Sequence, residues 1–167
     1  MAAETVYDAR CIASYLVSKA GPPGLDALQV MKLTYIAHGF TLAVLNKSLI
    51  EDDVEAWKWG PVIRSVYAVV PSGQRPFTNL LQPIAPADME ARDRGIVDTV
   101  LEKYGKHSGL YLSSLTHRPG SPWYQTWITY GQNAVIPKEV IRKHYSDVVK
   151  AWNQAAAANQ PYWPDAL

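Results

Sequence analysis

The sequence predicts a mainly α-helical fold, a compact single-domain bundle of about five to seven helices with a small β-hairpin near residues 48–58. Two observations predict it. Apolar residues recur at three- and four-residue spacing along most of the chain, and only one short segment, residues 46–60, has a pattern that suits a sheet. The length, 167 residues, suits one ordinary domain. We assign residues 1–153 to the helical domain and residues 154–167 to an irregular C-terminal tail.

The first two helices are indicated by their periodicity and by their ends. Apolar spacing predicts a helix over residues 5–20, which the turn at residues 21–24 ends. Asp26, followed three residues later by Gln29, is typical of a capping box and opens the second helix. Because that helix is apolar around most of its circumference, we expect it to be central and buried.

The segment over residues 46–60 departs from helical spacing. Residues 49–50 and 54–57 flank the acidic turn at residues 51–53, which predicts a short hairpin or two extended segments. Pro61 suits the first turn of a following helix, where its missing N–H has no consequence.

Four more helices are predicted after a proline-rich surface loop at residues 71–86. They cover residues 86–104, residues 108–116, a short stretch that begins at Ser121-Pro122, and a final helix from Pro137. Ser121 has the N-cap position and Pro122 the first helical position.

Composition excludes several classes of protein. Lysine and arginine total 16 against 15 aspartate and glutamate, so no strong net field attracts phosphate backbones or acidic lipids. The longest apolar run carries Gln29, Lys32 and His38, and therefore falls short of the ~20 apolar residues of a membrane span. The single cysteine and the absence of a signal-peptide pattern predict a reducing, cytoplasmic setting. We expect neither a membrane nor a nucleic acid as partner.

Catalytic and metal chemistry is not indicated either. The four histidines are scattered and Cys11 is the only cysteine, so we predict no metal site and no cofactor. Cys11 lies on a helix face that should be buried, where a thiol is inert packing. We interpret the carboxylates at residues 51–53 and the pair Glu90/Asp93 as a solvated turn and a polar helix face. We therefore expect that the protein is not an enzyme.

Two aromatic corners stand out. One is the tryptophan-rich segment before the Gly-Pro turn at residues 55–62, and the other joins a helix end to a helix start at residues 116–123. Aromatic residues dominate both cores and interfaces. We interpret one set as structural: Trp57, Gly60, Pro61, His117, Pro122 and Trp123. The candidate partner contacts are Trp59, Lys58, Tyr67 and Trp127.

Taken in order, these segments resemble the Panacea domain of SocA-like and GepA-like proteins. The landmarks are residues 28–39, 55–57 with 59–62 and 66–67, 115–117 with 122–123, and 136–145. The resemblance covers nearly the whole chain and implies a mostly helical antitoxin without catalytic residues. It also implies a cognate protein toxin, encoded nearby, that is neutralised by direct binding. Trp59 departs from the pattern, which more often has tyrosine, and Pro137 stands where a small capping residue is usual.

Several functional interpretations stay open. The first is a protein that sequesters its toxin. The second, of the same class, is an adaptor that delivers the toxin to a Clp-type protease, as the SocA branch implies. A third is a nucleic-acid-binding regulator that uses residues 101–127 as a helix-turn-helix, against which the near-neutral charge argues. An enzyme built on His117 and the aromatic corners ranks last. The pattern does not indicate the oligomeric state.

Overall fold

Seven α-helices and one two-stranded antiparallel sheet form the part of the chain, residues 3–160, that the computed structural model describes. The elements are α1 (Ala9–Ala20), α2 (Ala27–Leu45), β1 (Glu55–Trp57), β2 (Gly60–Val62), α3 (Arg64–Tyr67), α4 (Ala91–Tyr104), α5 (Gly109–Thr116), α6 (Pro122–Tyr130) and α7 (Lys138–Ala157). The mainly helical prediction is confirmed. Helix α7 continues past the predicted start of the tail at residue 154, and the tail's last residues, 161–167, lie outside the described part.

Helix α2 is the central helix, as predicted. The Asp26 side chain accepts a hydrogen bond from the Gln29 N–H at 2.8 Å, and the Gln29 side chain accepts one from the Asp26 N–H at 2.9 Å. Residues 30–42 are all buried, because α1, α4, α5, α7 and β2 pack around them. The helix is long and apolar enough to span a membrane, but 72% of its apolar stretch is buried within the fold. It is the core helix of the domain.

Helix α7 approaches α2 closely at Gly39. A Cβ atom at this position would lie 2.4 Å from the Tyr145 ring, so only glycine leaves room for that ring. The Tyr145 ring meets Tyr35 and Phe40 edge-on, with centroid distances of 5.9 and 4.9 Å. This contact fixes α7 across the middle of α2.

The hairpin lies further along the chain than the predicted residues 48–58. Its strands pair Glu55 with Val62, and the turn is at residues 58–59. The acidic residues 51–53 do not form the turn: Asp52 accepts a hydrogen bond from the Ala9 N–H at 3.0 Å and so caps α1. Residues 49–50 pair instead with Tyr7, whose N–H donates to the Leu49 carbonyl at 2.9 Å.

Three predicted helix starts are wrong for related reasons. Pro61 lies in β2, and α3 begins only at Arg64. The helix predicted from residue 5 begins at Ala9, because the residue-7 backbone is already paired with residues 49–51. The helix predicted from residue 86 begins at Ala91, because the Ala87 N–H donates to the Cys11 carbonyl at 3.1 Å and keeps that segment non-helical. In the first case the local β1–β2 pairing overrides helical spacing, and in the other two a long-range backbone bond does so.

Candidate partner-binding site

The hairpin turn is held by hydrogen bonds to its backbone carbonyl groups. Trp123, on α6, donates its indole N–H to the Trp57 carbonyl at 2.6 Å. Ser113, on α5, donates its hydroxyl to the Trp59 carbonyl at 3.0 Å. Because these bonds use backbone acceptors, they fix the course of the turn and leave the side chains at positions 58 and 59 free.

Lys32, on α2, supplies the third support. Its ammonium group donates to the Pro61 carbonyl at 2.9 Å and lies 3.5 Å from the Trp59 carbonyl. The residue is only 1% exposed, and it forms no ion pair with any described residue. Burial lowers the pKa of Lys32 to about 7, because a poorly solvated site disfavours the charged form.

Gly60 makes this tight arrangement possible. Its φ of +112° is in the left-handed region, and a Cβ atom there would lie 2.9 Å from Lys32 Nζ and 3.3 Å from His117 Cβ. His117 caps the end of α5, where its Nδ1 donates to the Ser113 carbonyl. The turn is therefore enclosed by α2 on one side and by the end of α5 on the other.

Trp57 forms one wall beside the turn. It is half-buried, its ring centroid is 5.1 Å from that of Tyr67, and its N–H donates to a Glu55 carboxylate oxygen at 2.6 Å. The Arg64 guanidinium lies 5.2 Å from the Trp57 ring centroid and pairs with the same carboxylate at 2.8 Å. These contacts hold both aromatic rings in place.

A groove of about 650 Å³ opens between the first turns of α2, the hairpin turn and the loop after α3. Its lining includes Trp59, Tyr67 and Leu81, which are 66%, 57% and 63% exposed. Of the nine large hydrophobic side chains that are exposed in residues 3–160, these three share one groove, and exposed apolar patches mark binding surfaces. Its charged lining residues are Lys32 and Lys58. We call this surface the Trp59 groove.

The structure thus brings together three of the four candidate contacts and separates the fourth. Lys58, Trp59 and Tyr67 all line the Trp59 groove, and Trp127 does not. The Trp127 ring stacks on Trp123, with centroids 5.1 Å apart. Pro122 is buried at the first turn of α6, which Ser121 caps. Trp127 therefore packs against Trp123, the side chain on α6 that binds the turn, and does not line the groove.

Sequence reasoning missed the polar members of the site. The sequence indicates Lys32 only as a polar interruption of an apolar run and as one residue of the landmark segment 28–39. It does not single out Ser113 or the amide side chains that line the groove, Gln74, Gln132 and Asn133. One signal was available: a lysine in the middle of a helix that is apolar all round must be buried, and a buried ammonium group needs acceptors. The carbonyl groups that accept from it lie far away in the sequence.

A second groove lies at the other end of α2. It has a volume of about 430 Å³ and an apolar lining that includes Val44, Ile96 and Trp152, with Arg92 and Lys103 as its charged residues. We call it the α4–α7 groove. Met31 in the first groove and Val44 in the second are 13 residues apart on α2, which corresponds to about 20 Å along a helix axis.

Reactive groups are not gathered at either groove. Within residues 3–160 no three histidine, cysteine or acidic side chains come together as metal ligands. His38 is buried, accepts a hydrogen bond from the Leu49 N–H at 3.4 Å and has its pKa lowered to about 3 by burial. Cys11 is half-buried, not buried as expected, and burial raises the pKa of its thiol. Its thiolate is correspondingly disfavoured.

Comparison with known proteins places the chain in a family. The family model described as antitoxin SocA-like, Panacea domain, matches residues 30–124. Antitoxin SocA of Caulobacter vibrioides (strain NA1000 / CB15N) is 31% identical over 128 residues, which cover 70% of this chain and 68% of that protein. No solved structure gives a significant match. The matched range contains every residue that holds the hairpin turn, from Lys32 to Trp123. The chain therefore belongs to the SocA-like antitoxin family and carries its Panacea domain.

Proposed function

We propose that the protein neutralises a protein toxin by binding it directly, and that the Trp59 groove makes the contact. Membership of an antitoxin family supports a toxin as the partner. The observation that carries the choice of surface is Trp59 itself, a tryptophan that is 66% exposed on a turn held from three helices.

Preorganisation of the hairpin turn supports this choice of surface. Binding orders the side chains at an interface, and a side chain that is already held loses less entropy. Trp59 has its backbone fixed by Ser113 and Lys32, and the Lys58 ammonium lies 4.9 Å from its ring centroid. Large aromatic side chains on rigid surfaces are the residues that most often carry binding energy.

The test uses the toxin encoded next to this gene, co-expressed and purified. We expect Trp59→Ala to keep the parent's melting temperature, because the side chain is exposed, and to weaken toxin binding by about 2 kcal/mol, or roughly 30-fold. The matched control is Tyr130→Ala, an aromatic that is 71% exposed on α6 outside the groove. If Trp59→Ala binds as tightly as the control, the surface is wrong. If the parent protein does not bind the toxin, the proposed function is wrong.

One observation supports the adaptor as a second candidate function. The Trp59 groove and the α4–α7 groove lie at opposite ends of α2, so the chain offers two separate grooves. An adaptor needs such a pair, one surface for the toxin and one for a Clp-type protease. Rescue of growth in a host that lacks the protease supports sequestration, and loss of rescue there supports the adaptor.

The helix-turn-helix hypothesis has less support. Helices α5 and α6, which would be the two helices of the motif, contain neither lysine nor arginine. Contacts to phosphate supply most of the affinity of such motifs. We therefore do not propose nucleic acid as the partner.

A further inference from the structure

The charge of the Trp59 groove is one-sided. Lys58 and Lys32 line it, and no aspartate or glutamate does. Neither lysine is paired with a carboxylate of a described residue. Arg64 lies nearby, but Glu55 already pairs with it. The groove therefore presents uncompensated positive charge next to exposed apolar surface.

The groove rim also carries amide side chains. Gln74, Gln132 and Asn133 line it and are exposed. An amide side chain both donates and accepts hydrogen bonds, so it complements the N–H and C=O groups of a peptide backbone. A helix satisfies those groups internally, whereas an extended segment leaves them available. The rim is therefore better matched to an extended segment than to a helix.

The outer edge of the hairpin is already occupied. The Ala56 N–H donates to the Ala134 carbonyl at 2.8 Å, and the Asn133 N–H donates to the Ala56 carbonyl at 2.7 Å. A partner therefore cannot add a strand at that edge of β1. The same bonds fix the Asn133 backbone, so its side chain starts from a defined point on the rim.

We propose that the Trp59 groove binds an extended, acidic segment of the toxin in which a carboxylate lies beside an apolar side chain. The apolar side chain packs against Trp59 and Tyr67, and the carboxylate pairs with Lys58. Lys32, beneath the groove, adds attraction only while its ammonium group is protonated. This inference rests on the proposed function and specifies the part of the toxin that the groove recognises.

A nucleic acid would also present negative charge and stacking surfaces. The groove, however, offers only two lysines, and the chain as a whole has 16 basic against 15 acidic residues. Nucleic-acid grooves track a charged backbone with a row of cations. The amides and the short cationic patch favour a peptide.

The first experiment measures the affinity of the full-length chain for the purified toxin. We expect Lys58→Glu to raise the Kd at least tenfold, a size typical for a like-charge contact at an interface. The matched control is Lys150→Glu, which changes the net charge equally at an exposed position of α7 outside the groove. That variant should keep the parent's Kd within about twofold. Raising the NaCl concentration from about 50 to about 500 mM should weaken toxin binding by the parent more than toxin binding by the Lys58→Glu variant.

The second experiment locates the segment. Overlapping peptides of about 12 residues that cover the toxin are titrated against the parent chain. We expect the binding peptide to carry an aspartate or glutamate within two residues of a large apolar side chain. A peptide in which lysine replaces that acidic residue should bind the Lys58→Glu variant again.

Three results would overturn the inference: equal affinities for Lys58→Glu and Lys150→Glu, a binding peptide without a carboxylate, or tight binding of an oligouridine of about 15 nucleotides that the toxin displaces. If Lys58→Glu still neutralises the toxin like the parent, the inference fails and the proposed function stands. If the parent never binds the toxin, the proposed function fails first.

Discussion

Lys32 has an unusual position for a lysine, since its ammonium group is buried and meets only carbonyl oxygens. Hydrogen bonds to carbonyl groups satisfy its N–H donors but do not neutralise its charge. Burial of an unpaired charge destabilises a fold. The residue therefore secures the hairpin turn at some loss of stability while it is protonated.

This position leads to a prediction of pH dependence. Burial lowers the pKa of Lys32 from 10.5 to about 7 in the folded chain. Between those values the unfolded chain binds more protons than the folded chain, so the free energy of unfolding should rise with pH, by at most about 1.4 kcal/mol per pH unit. Lys32→Met should remove this rise, and urea unfolding of both chains at about pH 7.5 and about pH 9 measures it.

The Cys11 thiol, whose pKa burial raises from 9.0, also titrates near this window, but it is common to both chains. Burial raises the pKa of Tyr7 and of Tyr15 to about 12, so both tyrosines act at higher pH. The difference between parent and Lys32→Met also cancels any group that the two chains share. Parallel stability profiles for the two chains would show that Lys32 stays charged in the fold.

At the scale of elements, the hairpin turn depends on Gly60. We expect Gly60→Ala to destabilise the fold, by roughly 1–2 kcal/mol for the left-handed conformation alone and more for the contact with Lys32. Gly73→Ala is the matched control, because its φ is +98° and nothing lies within 4 Å of its added Cβ. Thermal melting compares the two. A Gly60→Ala chain that melts no earlier than Gly73→Ala would show that the turn tolerates a side chain.

Some helix starts could be predicted from the sequence, whereas the position of the hairpin could not. The starts of α2, α5 and α6 were predicted because their caps are local: in each, a side chain accepts a hydrogen bond from an N–H three residues later. The hairpin was misplaced because the acidic residues 51–53 do not form its turn: Asp52 accepts a hydrogen bond from the Ala9 N–H instead. The segment over residues 54–56 also pairs with residues 133–136, nearly 80 positions away. No local pattern contains that partner.

The candidate site likewise contains some residues that the sequence indicates and others that only the fold brings together. Composition and the Gly-Pro turn were sufficient to single out Trp57 and Trp59, but alternation in a strand would put both side chains on one face. In the structure Trp57 is half-buried in β1, whereas Trp59 lies in the turn and is 66% exposed. The role of Lys32 depends on carbonyl groups 27 and 29 positions further along the chain, and only the fold brings them together.

At the scale of the whole molecule, α2 joins the two ends of the domain. It contacts α1, α4, α5, α7 and β2, so the hairpin cannot separate without disturbing the core. We expect a single cooperative transition, in which tryptophan fluorescence and far-UV ellipticity give the same urea midpoint. Most tryptophans in residues 3–160 lie at the hairpin end. An earlier fluorescence midpoint would therefore mean that this end unfolds as a separate unit.

Because the hairpin turn is held through backbone carbonyl groups, its binding specificity can change while the turn is kept. Every amino acid has a carbonyl group, so the bonds from Trp123, Ser113 and Lys32 survive whatever side chains occupy positions 58 and 59. Substitutions there change the recognised chemistry without loosening the scaffold, as in binding loops carried by rigid frameworks. A lineage with this turn can exchange one target for another through a few surface substitutions while its interior stays the same.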